Sequence, residues 1–388
     1  MNTLTEAALN SVIQAEAAYC KFLAPNDTKQ TGSHQAGFLI SVDAGRRWLE
    51  PVSAGIAERP VTIHWHTVYQ HVTTHSQLKY YASKREYRFT QFGRNFPFRE
   101  AHLAGSLFLC VPVNGNTFDI YLADHSELIE EILASLLVSP TDLPTVWTKH
   151  VFDPNPYISR FIHTLNDVFP STAIMAQIGR DIAYTTNPTL HHETWSTQLL
   201  EWIRMEYQVF RAVERHFFLQ EDPAQWADVD KFLAISNSMM NRRKARAGKS
   251  LEHHVAALFN HIGVPFTAQA ATEGGHVADF LMPGKSAYDD LRFPANHLTF
   301  LAAKTTCKDR WRQILTEANR IPVKHLITLQ PTLSREQLTQ MRDSQVELVV
   351  PEPYLGDYPT VRGAVVWTVD KFMRKLQNQY GSTSSVLD

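Results

Sequence analysis

The chain has 388 residues, of which 44% are hydrophobic and 20% charged, a globular composition that excludes a largely disordered protein. Lysine and arginine total 37 against 39 aspartates and glutamates, and the net charge of −2 excludes a polycation that binds nucleic acid by bulk charge. The length predicts two or three domains.

Neither a membrane span nor a disulfide framework is expected. The apolar runs fall short of the roughly 18–20 residues that cross a bilayer, and the N-terminal residues lack the pattern of a secretory signal. The three cysteines, Cys20, Cys110 and Cys307, are too few and too far apart for a disulfide framework or a zinc knuckle. They fit a reducing cytoplasm, and we expect an intracellular multidomain protein.

The first part of the chain predicts a helix followed by short strands. Residues 5–23 have helix-like periodicity, and residues 35–42 are typical of a short strand. Turn formers, as at 93–95 and 114–116, then separate the apolar runs VTIHWHTVY, YRFTQF, SLFLCVPV and FDIYLA. Such punctuation predicts a barrel or sandwich, closed by an amphipathic helix at 125–137.

Prolines are frequent between residues 138 and 168, where we predict the connection between domains. Helical patterns follow at 193–220 and 224–240. Strands and helices then alternate to the end of the chain, with helices at 250–261, 309–320 and 369–379 and strands at 277–282, 298–303, 325–330 and 346–351. This alternation predicts an α/β sheet domain. The expected division is a first domain at 1–145, a linker at 146–168 and a second domain at 169–388.

Four charged side chains of the second domain can converge from two strands and two helices. Asp279 lies in a predicted strand and Lys304 ends the next apolar run, so adjacent strands can bring the carboxylate and the ammonium together. Glu317 lies on a predicted helix, and Glu252 opens another. Carboxylates hold Mg²⁺, and a nearby lysine stabilises charge during phosphodiester hydrolysis. The spacing alone is weak support, because most charged side chains are simply solvated.

Two basic stretches flank this candidate site. Residues 241–250 read NRRKARAGKS, with five cations that suit a phosphate backbone: Arg242, Arg243, Lys244, Arg246 and Lys249. The ordinary alternative is a solvated face. The triplet Lys308, Asp309 and Arg310 follows one turn after Lys304. It can read adjacent G·C pairs, because Lys and Arg pair with guanine O6/N7 and Asp accepts from cytosine N4.

The stretch NRRKARAGKSLE, the ADF motif around Asp279 and above all KTTCKDRWRQIL resemble EcoRII-type restriction endonucleases. The resemblance extends from about residue 200 to 350. It implies a PD-(D/E)XK nuclease fold and a Mg²⁺-dependent type II enzyme whose catalytic pair is Asp279 and Lys304. It also implies that Glu317 supplies the second metal carboxylate, because Ala302 occupies the usual acidic place, and that Glu252 supports the metal site.

The same resemblance implies a double-stranded DNA substrate and a homodimer, or a higher oligomer, in a prokaryotic cytoplasm. Lys308, Asp309 and Arg310 match the family triplet that reads CC·GG half-sites of a palindrome. Cleavage is expected 5′ of the CC, which leaves 5′ overhangs and 5′-phosphates.

A base-flipping pocket is a second implication of the resemblance. Family members that read interrupted CCNGG or CCWGG sites flip out the central nucleotide. Their pocket uses an aromatic and a basic residue, and Tyr207 matches the aromatic position. Ile203 falls where the arginine is expected, with Arg204 next to it. An interrupted site and an uninterrupted CCGG core both stay open.

The first domain resembles the family's effector domain, a mostly-β DNA-binding pseudobarrel, over about residues 15–110. Lys21, His34 and Arg88 occupy positions where the family has DNA contacts, whereas Leu39 replaces an expected tyrosine. This domain is expected either to bind a second DNA copy or to be structural.

Two other functions compete with a sequence-specific nuclease. One is a DNA-binding regulator whose nuclease fold no longer cuts, and the intact set of Asp279, Lys304 and Glu317 argues against it. The other is a nuclease whose first domain alone chooses the target. The base-reading triplet beside Lys304 argues against that.

Overall fold

The structure of the protein is a computed structural model that describes residues 3–30, 37–148, 155–221 and 228–381. These residues form two β-sheets, one in each half of the chain. The strands of the first sheet are β1 (Ala17–Phe22), β2 (Phe38–Ile40), β3 (Ile56–His66), β4 (His71–Tyr81), β5 (Glu86–Thr90), β6 (Leu107–Asn114), β7 (Thr117–Ala123) and β8 (Thr145–Thr148). The strands of the second sheet are β9 (Thr267–Ala271), β10 (Val277–Met282), β11 (Thr299–Lys304), β12 (Lys324–Thr328), β13 (Val346–Val350) and β14 (Val366–Thr368).

The helices of the described residues are numbered in the same way. They are α1 (Thr3–Gln14), α2 (Val42–Trp48), α3 (Ser126–Leu136), α4 (Pro156–Ile162), α5 (Thr172–Thr186), α6 (Trp195–Gln220), α7 (Val229–His261), α8 (Lys285–Asp289), α9 (Arg335–Asp343) and α10 (Val369–Tyr380). Short 3-10 helices include Ala101–Leu103 and Arg310–Thr316.

The first sheet has the order β2-β5-β4-β3-β7-β6-β1-β8. Its pairs are antiparallel except for β3 with β7, which run parallel. One face buries an aromatic core, in which Phe38 stacks on Phe108 with ring centroids 5.5 Å apart and packs at a tilt against Trp65 at 5.2 Å. Helices α1 and α3 cover the other face. The predicted mostly-β unit is confirmed.

The predicted helix at 5–23 is wrong in its second half. The chain leaves α1 at Gln14 and continues as β1, which lies between β6 and β8. Strand β1 is buried on both faces, so its apolar residues do not alternate with polar ones. The sequence therefore shows no strand periodicity there.

The second sheet has the order β14-β13-β12-β11-β10-β9. Strands β11 to β14 are parallel, and β9 and β10 add antiparallel at one edge. Helices α5, α6, α7 and α10 pack on one face, while α8, α9 and the 3-10 helix at 310–316 cover the other. The continuous apolar runs of β11 and β12 follow from burial on both faces, which is typical of parallel strands.

One helix replaces two predicted ones. The expected helices at 224–240 and 250–261 belong to the single helix α7, and the basic residues between them are helical as well. Gly248 is the weak position, but a glycine inside a long helix costs only about 1 kcal/mol. The cations therefore lie on a rigid element, on all sides of it.

Strand β8 pairs with β1, so the first sheet continues past the expected boundary at residue 145. Helix α4 falls within the expected linker. The proposed division at 146–168 stays a prediction.

The two halves are in direct contact. The Gln330 side-chain amide donates to the Gly105 carbonyl at 2.8 Å, and Gln30 donates to the Leu333 carbonyl at 3.3 Å. Gly105 has a φ of +77°, and a Cβ there would lie 2.3 Å from the Thr332 carbonyl oxygen, so both conformation and space require glycine. In the described part of the chain, no helix is long and apolar enough to cross a membrane.

Candidate active site

Asp279 and Lys304 meet as predicted. Asp279 lies on β10 and Lys304 ends the adjacent strand β11. The Asp279 Oδ2 atom accepts from the Lys304 Nζ at 2.9 Å and from the Ala303 backbone N–H at 2.9 Å. The carboxylate is almost buried, with its side chain 8% exposed, whereas Lys304 is 21% exposed. Asp279 is thus fixed and nearly buried, whereas Lys304 is partly open to the surface.

Glu252 reaches the same site from the middle of α7 rather than from a helix start. Its Oε2 atom accepts from Lys249 Nζ at 2.8 Å and from the Gln269 side-chain amide at 2.8 Å. The same Gln269 amide nitrogen donates to Oδ1 of Asp279 at 3.2 Å. Burial raises the pKa of Glu252, and the nearby Asp279 carboxylate raises it further against the opposing effect of Lys249.

Glu317 follows the short 3-10 helix at 310–316 and does not lie on a long helix as expected. Burial, with added repulsion from Asp279, raises its pKa to about 7 against the opposing effect of Lys304 and Lys324. Its Oε2 atom is buried without a hydrogen-bond partner among the described residues. A buried carboxylate oxygen that repels a neighbouring carboxylate is suited to a cation.

The chemistry of these donors fits a magnesium ion better than a metal that needs a full cage of protein ligands. Within residues 3–30, 37–148, 155–221 and 228–381, no three His, Cys, Asp or Glu side chains are close enough to enclose an ion. Mg²⁺ commonly takes one or two carboxylates and completes its shell with water and substrate phosphate oxygens. Asp279 and Glu317 can supply that pair.

The predicted base-reading triplet follows directly, but in this structure its side chains bind the first half of the chain. Lys308 Nζ donates to the carbonyls of His102 at 3.1 Å and Ala104 at 2.8 Å, and it is buried. Burial lowers its pKa to about 8. Asp309 accepts from the Ser126 backbone N–H at 2.8 Å.

Arg310 is held in the same way. Its guanidinium pairs with Glu130 of α3 at 2.7 Å, and the other Glu130 oxygen accepts from the Thr306 hydroxyl at 2.9 Å. Glu130 lines a cavity of about 380 Å³ together with Lys304 and Glu252. The first half therefore contributes one wall of the cavity beside Lys304 and Glu252.

The five cations of α7 have different surroundings. Arg243 pairs with Glu214 at 2.7 Å and donates to the Ser135 carbonyl of α3 at 2.7 Å. Lys244 pairs with Glu131 of α3 at 3.3 Å. These two cations join the halves, Lys249 bonds to Glu252, and Arg242 lies over the ring of Phe169 at 4.6 Å.

Arg246, the fifth cation, is 2% exposed and cannot reach a phosphate in this arrangement. Its guanidinium carbon lies 3.3 Å from the ring centroid of Tyr207, which is itself buried. The signal was present in the sequence: Arg246 and Ser250 precede His254 in steps of four, and all three lie on the buried face of α7.

The residues of the predicted base-flipping pocket do not lie side by side on an open surface. Tyr207 is covered by Arg246, and Ile203 is buried. Arg204 is exposed and pairs with Glu201 at 2.6 Å.

Two of the three predicted DNA contacts of the first half are buried. Lys21 Nζ bonds to Asp27 at 2.7 Å and to the Leu39 carbonyl at 2.7 Å. Arg88 pairs with Glu86 at 3.1 Å. Both cations line a cleft that loops of the second half, with Pro331 and Tyr354, close from the other side. His34 lies outside the described residues.

Two family profiles match the chain. One, described as EcoRII C terminal, covers residues 210–373, and the other, described as restriction endonuclease EcoRII, N-terminal, covers residues 12–150. These matches confirm the expected fold class, a mostly-β N-terminal pseudobarrel with an α/β endonuclease domain of the PD-(D/E)XK type.

Two sequence relatives are type II restriction enzymes. The type II restriction enzyme EcoRII of Escherichia coli is 33% identical over 393 residues, which span 93% of this chain and 94% of that enzyme. The type II restriction enzyme SsoII of Shigella sonnei is 29% identical over 127 residues, 30% of this chain and 40% of that enzyme. Metal-depleted Ecl18kI in complex with uncleaved DNA gives a TM-score of 0.45 at 17% identity, over 61% of this chain and 88% of that one. With this identity over nearly its whole length, the protein belongs to the EcoRII family of type II restriction endonucleases, which cut DNA at specific sites.

Proposed function

We propose that this endonuclease uses Mg²⁺ to cleave both strands of a palindrome with CC and GG half-sites. The observation that carries the proposal is the meeting of Asp279 with Lys304 beside Glu317, whose buried carboxylate oxygen has no partner among the described residues. Carboxylates and ammonium groups share this site, with Asp279 beside Lys304 and Glu252 beside Lys249. Such a mixture suits a phosphodiester and its counterion.

Each side chain has a separate part in this proposal. Asp279 and Glu317 would hold the ion, which neutralises charge on the phosphate and helps to ionise the attacking water. Lys304, fixed by Asp279 at 2.9 Å, stabilises the negative charge that develops on the phosphate. Glu252 supports the Asp279 side of the site through their shared bond to Gln269.

Base reading is assigned to the Lys308–Asp309–Arg310 triplet. An arginine can make two bonds to guanine, and an aspartate can accept from cytosine N4, so the triplet suits a CC·GG half-site. All three side chains bond to the first half in this structure. Reading DNA therefore requires the first half to move away from residues 308–310, and the described arrangement is a closed one.

Two copies of the chain would serve one palindrome. Each copy has one candidate site, and each half-site presents the same bases, so a two-fold homodimer or a higher symmetric oligomer matches the substrate. Cleavage 5′ of each CC leaves 5′ overhangs and 5′-phosphates. An uninterrupted CCGG core and an interrupted site both remain within the proposal, because Tyr207 would need release from Arg246 before it could stack on a flipped base.

The first half would act as an effector domain that contacts a second DNA copy through Lys21, His34 and Arg88. Lys21 and Arg88 already bond to Asp27 and Glu86, so phosphate contacts would have to replace these ion pairs. Loops of the second half close the same cleft. A second DNA copy would therefore compete with the closed arrangement.

Substitutions at the pair test the proposal. Asp279→Ala and Lys304→Ala should each abolish cleavage of plasmid DNA in Mg²⁺ while specific binding stays measurable, because both groups act on metal and phosphate rather than on base edges. Cleavage is followed on gels, and binding by competition with CC·GG duplexes. Near-normal cutting by either variant would overturn the site, and specific binding without any cutting by the wild type would favour a DNA-binding regulator.

A further inference from the structure

Gln269 is the residue of this site that no sequence motif indicated. Its terminal amide nitrogen donates to Oε2 of Glu252 at 2.8 Å and to Oδ1 of Asp279 at 3.2 Å. Two carboxylate oxygens thus converge on one side-chain atom. Only the NH₂ end of the amide can satisfy both, because the carbonyl end has no hydrogen to donate.

The position of Gln269 in the sheet explains why it reaches both carboxylates. Strand β9 pairs antiparallel with β10, with Ala270 opposite Ala278 and Ala268 opposite Phe280, which puts Gln269 opposite Asp279. Side chains of directly opposed residues lie on the same face of a sheet. That face is the one on which α7 carries Glu252, since Glu252 and Asp279 share the amide.

The backbone at Gln269 is unusual for a strand residue. Its φ is +50°, in the left-handed region that residues with a side chain seldom adopt. Such conformations are strained and are found mostly where the surroundings hold them. Gln269 is exposed, so a buried core does not hold it there. Its side chain bonds to two carboxylates.

We propose that Gln269 is a positioning residue of the metal site: it holds the carboxylates of Glu252 and Asp279 side by side. This inference rests on the proposed metal-dependent nuclease function. Two carboxylates that share one donor stay close despite their repulsion, and Oδ1 of Asp279 keeps one orientation, while Oδ2 is fixed by Lys304 and Ala303. Without the amide, Asp279 is fixed at one oxygen only.

The test is Gln269→Met, which keeps the length of the side chain and removes both donors. Neighbours that orient metal ligands contribute roughly 10–100-fold to metal affinity. We therefore expect the full chain to bind Mn²⁺, followed by electron paramagnetic resonance of the free ion, roughly tenfold more weakly. The Mg²⁺ concentration for half-maximal cleavage should rise by the same factor, with the rate at saturating Mg²⁺ within about twofold of the wild type.

Gln345→Met is the matched control. Gln345 is also an exposed glutamine with a left-handed backbone, at a φ of +54°, and it lies at the other side of the second sheet, just before β13. It should leave Mn²⁺ binding and the Mg²⁺ requirement unchanged, which separates the amide from the cost of a substitution at positive φ.

Asp279→Ala, measured in the same titrations, separates the two proposals. If the wild type has neither Mn²⁺ binding nor cleavage that depends on Asp279, the proposed function fails. If the wild type has them and Gln269→Met behaves like Gln345→Met, only the role of Gln269 is overturned. A loss of maximal rate without a change in metal requirement also overturns it.

Discussion

At the scale of single residues, the two carboxylate oxygens of Asp279 have different partners. Oδ2 is fixed by Lys304 and the Ala303 backbone, and Oδ1 faces Gln269. Glu317 adds a third carboxylate, whose burial raises its pKa to about 7. Lys304 and Lys249 offset part of the repulsion among these carboxylates, and the proposed metal ion would offset more.

Arg310 is expected to carry discrimination as well as affinity. Arg310→Ala should lose about 1–3 kcal/mol of preference for CC·GG over singly substituted duplexes, because a two-bond contact to guanine is lost. Competition binding of the two duplexes measures this preference. A variant that keeps the full preference would remove Arg310 from the proposed reading.

Lys244 is expected to behave differently. It is exposed on α7, and in the closed arrangement its ammonium group forms an ion pair with Glu131 at 3.3 Å. Lys244→Ala should weaken binding to all sequences alike and reduce the salt dependence by about one phosphate contact. Binding at two salt concentrations measures the slope. A selective loss of CC·GG preference would mean that Lys244 reads bases instead of contacting the phosphate backbone.

For single residues, the sequence predicts the candidate catalytic groups better than the contacts that surround them. Asp279 and Lys304 follow from two apolar runs that were expected to be neighbouring strands. Arg246 was grouped with its neighbours by charge, although its helical position puts it on the buried face of α7. Gln269 could not be found, because a lone polar residue in a short edge strand has neither motif nor period.

Among the helices and strands, α7 contributes to the contact between the halves, to the core and to the candidate site. Within one helix it carries contacts to α3 through Arg243 and Lys244, the buried Arg246 and the candidate-site Glu252. Helix α7 therefore joins the contact between the halves to the candidate site.

Gly248 is the weak point of α7, and replacing it should stabilise the helix. A Cβ at this position would meet nothing within 4 Å, and its φ is not left-handed. Gly248→Ala should raise the free energy of unfolding by roughly 0.5–1 kcal/mol, since alanine loses less backbone entropy in a helix. Urea unfolding followed by circular dichroism measures the change. An unchanged or lower stability would mean that α7 is not helical through this position.

Long or regularly apolar elements were predictable, and elements set by tertiary contacts were not. Strands β6, β7 and β10 to β13 follow from apolar runs between turn formers, although their limits shift by a residue or two. Strand β1 was read as helix because it is buried on both faces. Helix α5 was missed because Pro170 and the prolines before it suggested a connection, whereas Ser171 caps the helix by accepting from the Ile174 N–H.

At the scale of the whole molecule, the first half covers the residues of the second half that are proposed to contact DNA. Lys308, Asp309 and Arg310 each bond to the first half, and Lys21 and Arg88 lie in a cleft that the second half closes. Both proposed DNA surfaces are thus occupied in one conformation. Sequence motifs identify such surfaces but carry no information on which residues cover them, because the covering contacts join distant parts of the chain.

Glu130 is the residue whose removal should weaken this closure most directly. Glu130→Ala removes the partner of Arg310 and Thr306 in the cavity beside Lys304. Hydrogen bonds to charged groups contribute roughly 1.5–3 kcal/mol, so we expect CC·GG duplexes to bind about tenfold more tightly as the open form becomes more populated. The matched control is Glu127→Ala, on the exposed side of the same helix. Equal affinities for both variants and the wild type would contradict a closed state that limits binding.

The most direct test of the account is to sequence the ends produced from a plasmid of known sequence, with Mg²⁺ and with a chelator. We expect cutting only with Mg²⁺, at palindromes containing CC and GG, with 5′-phosphates and 5′ overhangs that begin at the CC. A symmetric dimer would produce the same break on both strands. Blunt or 3′-overhang ends, ends without a common sequence, or cutting in the presence of the chelator would contradict the account.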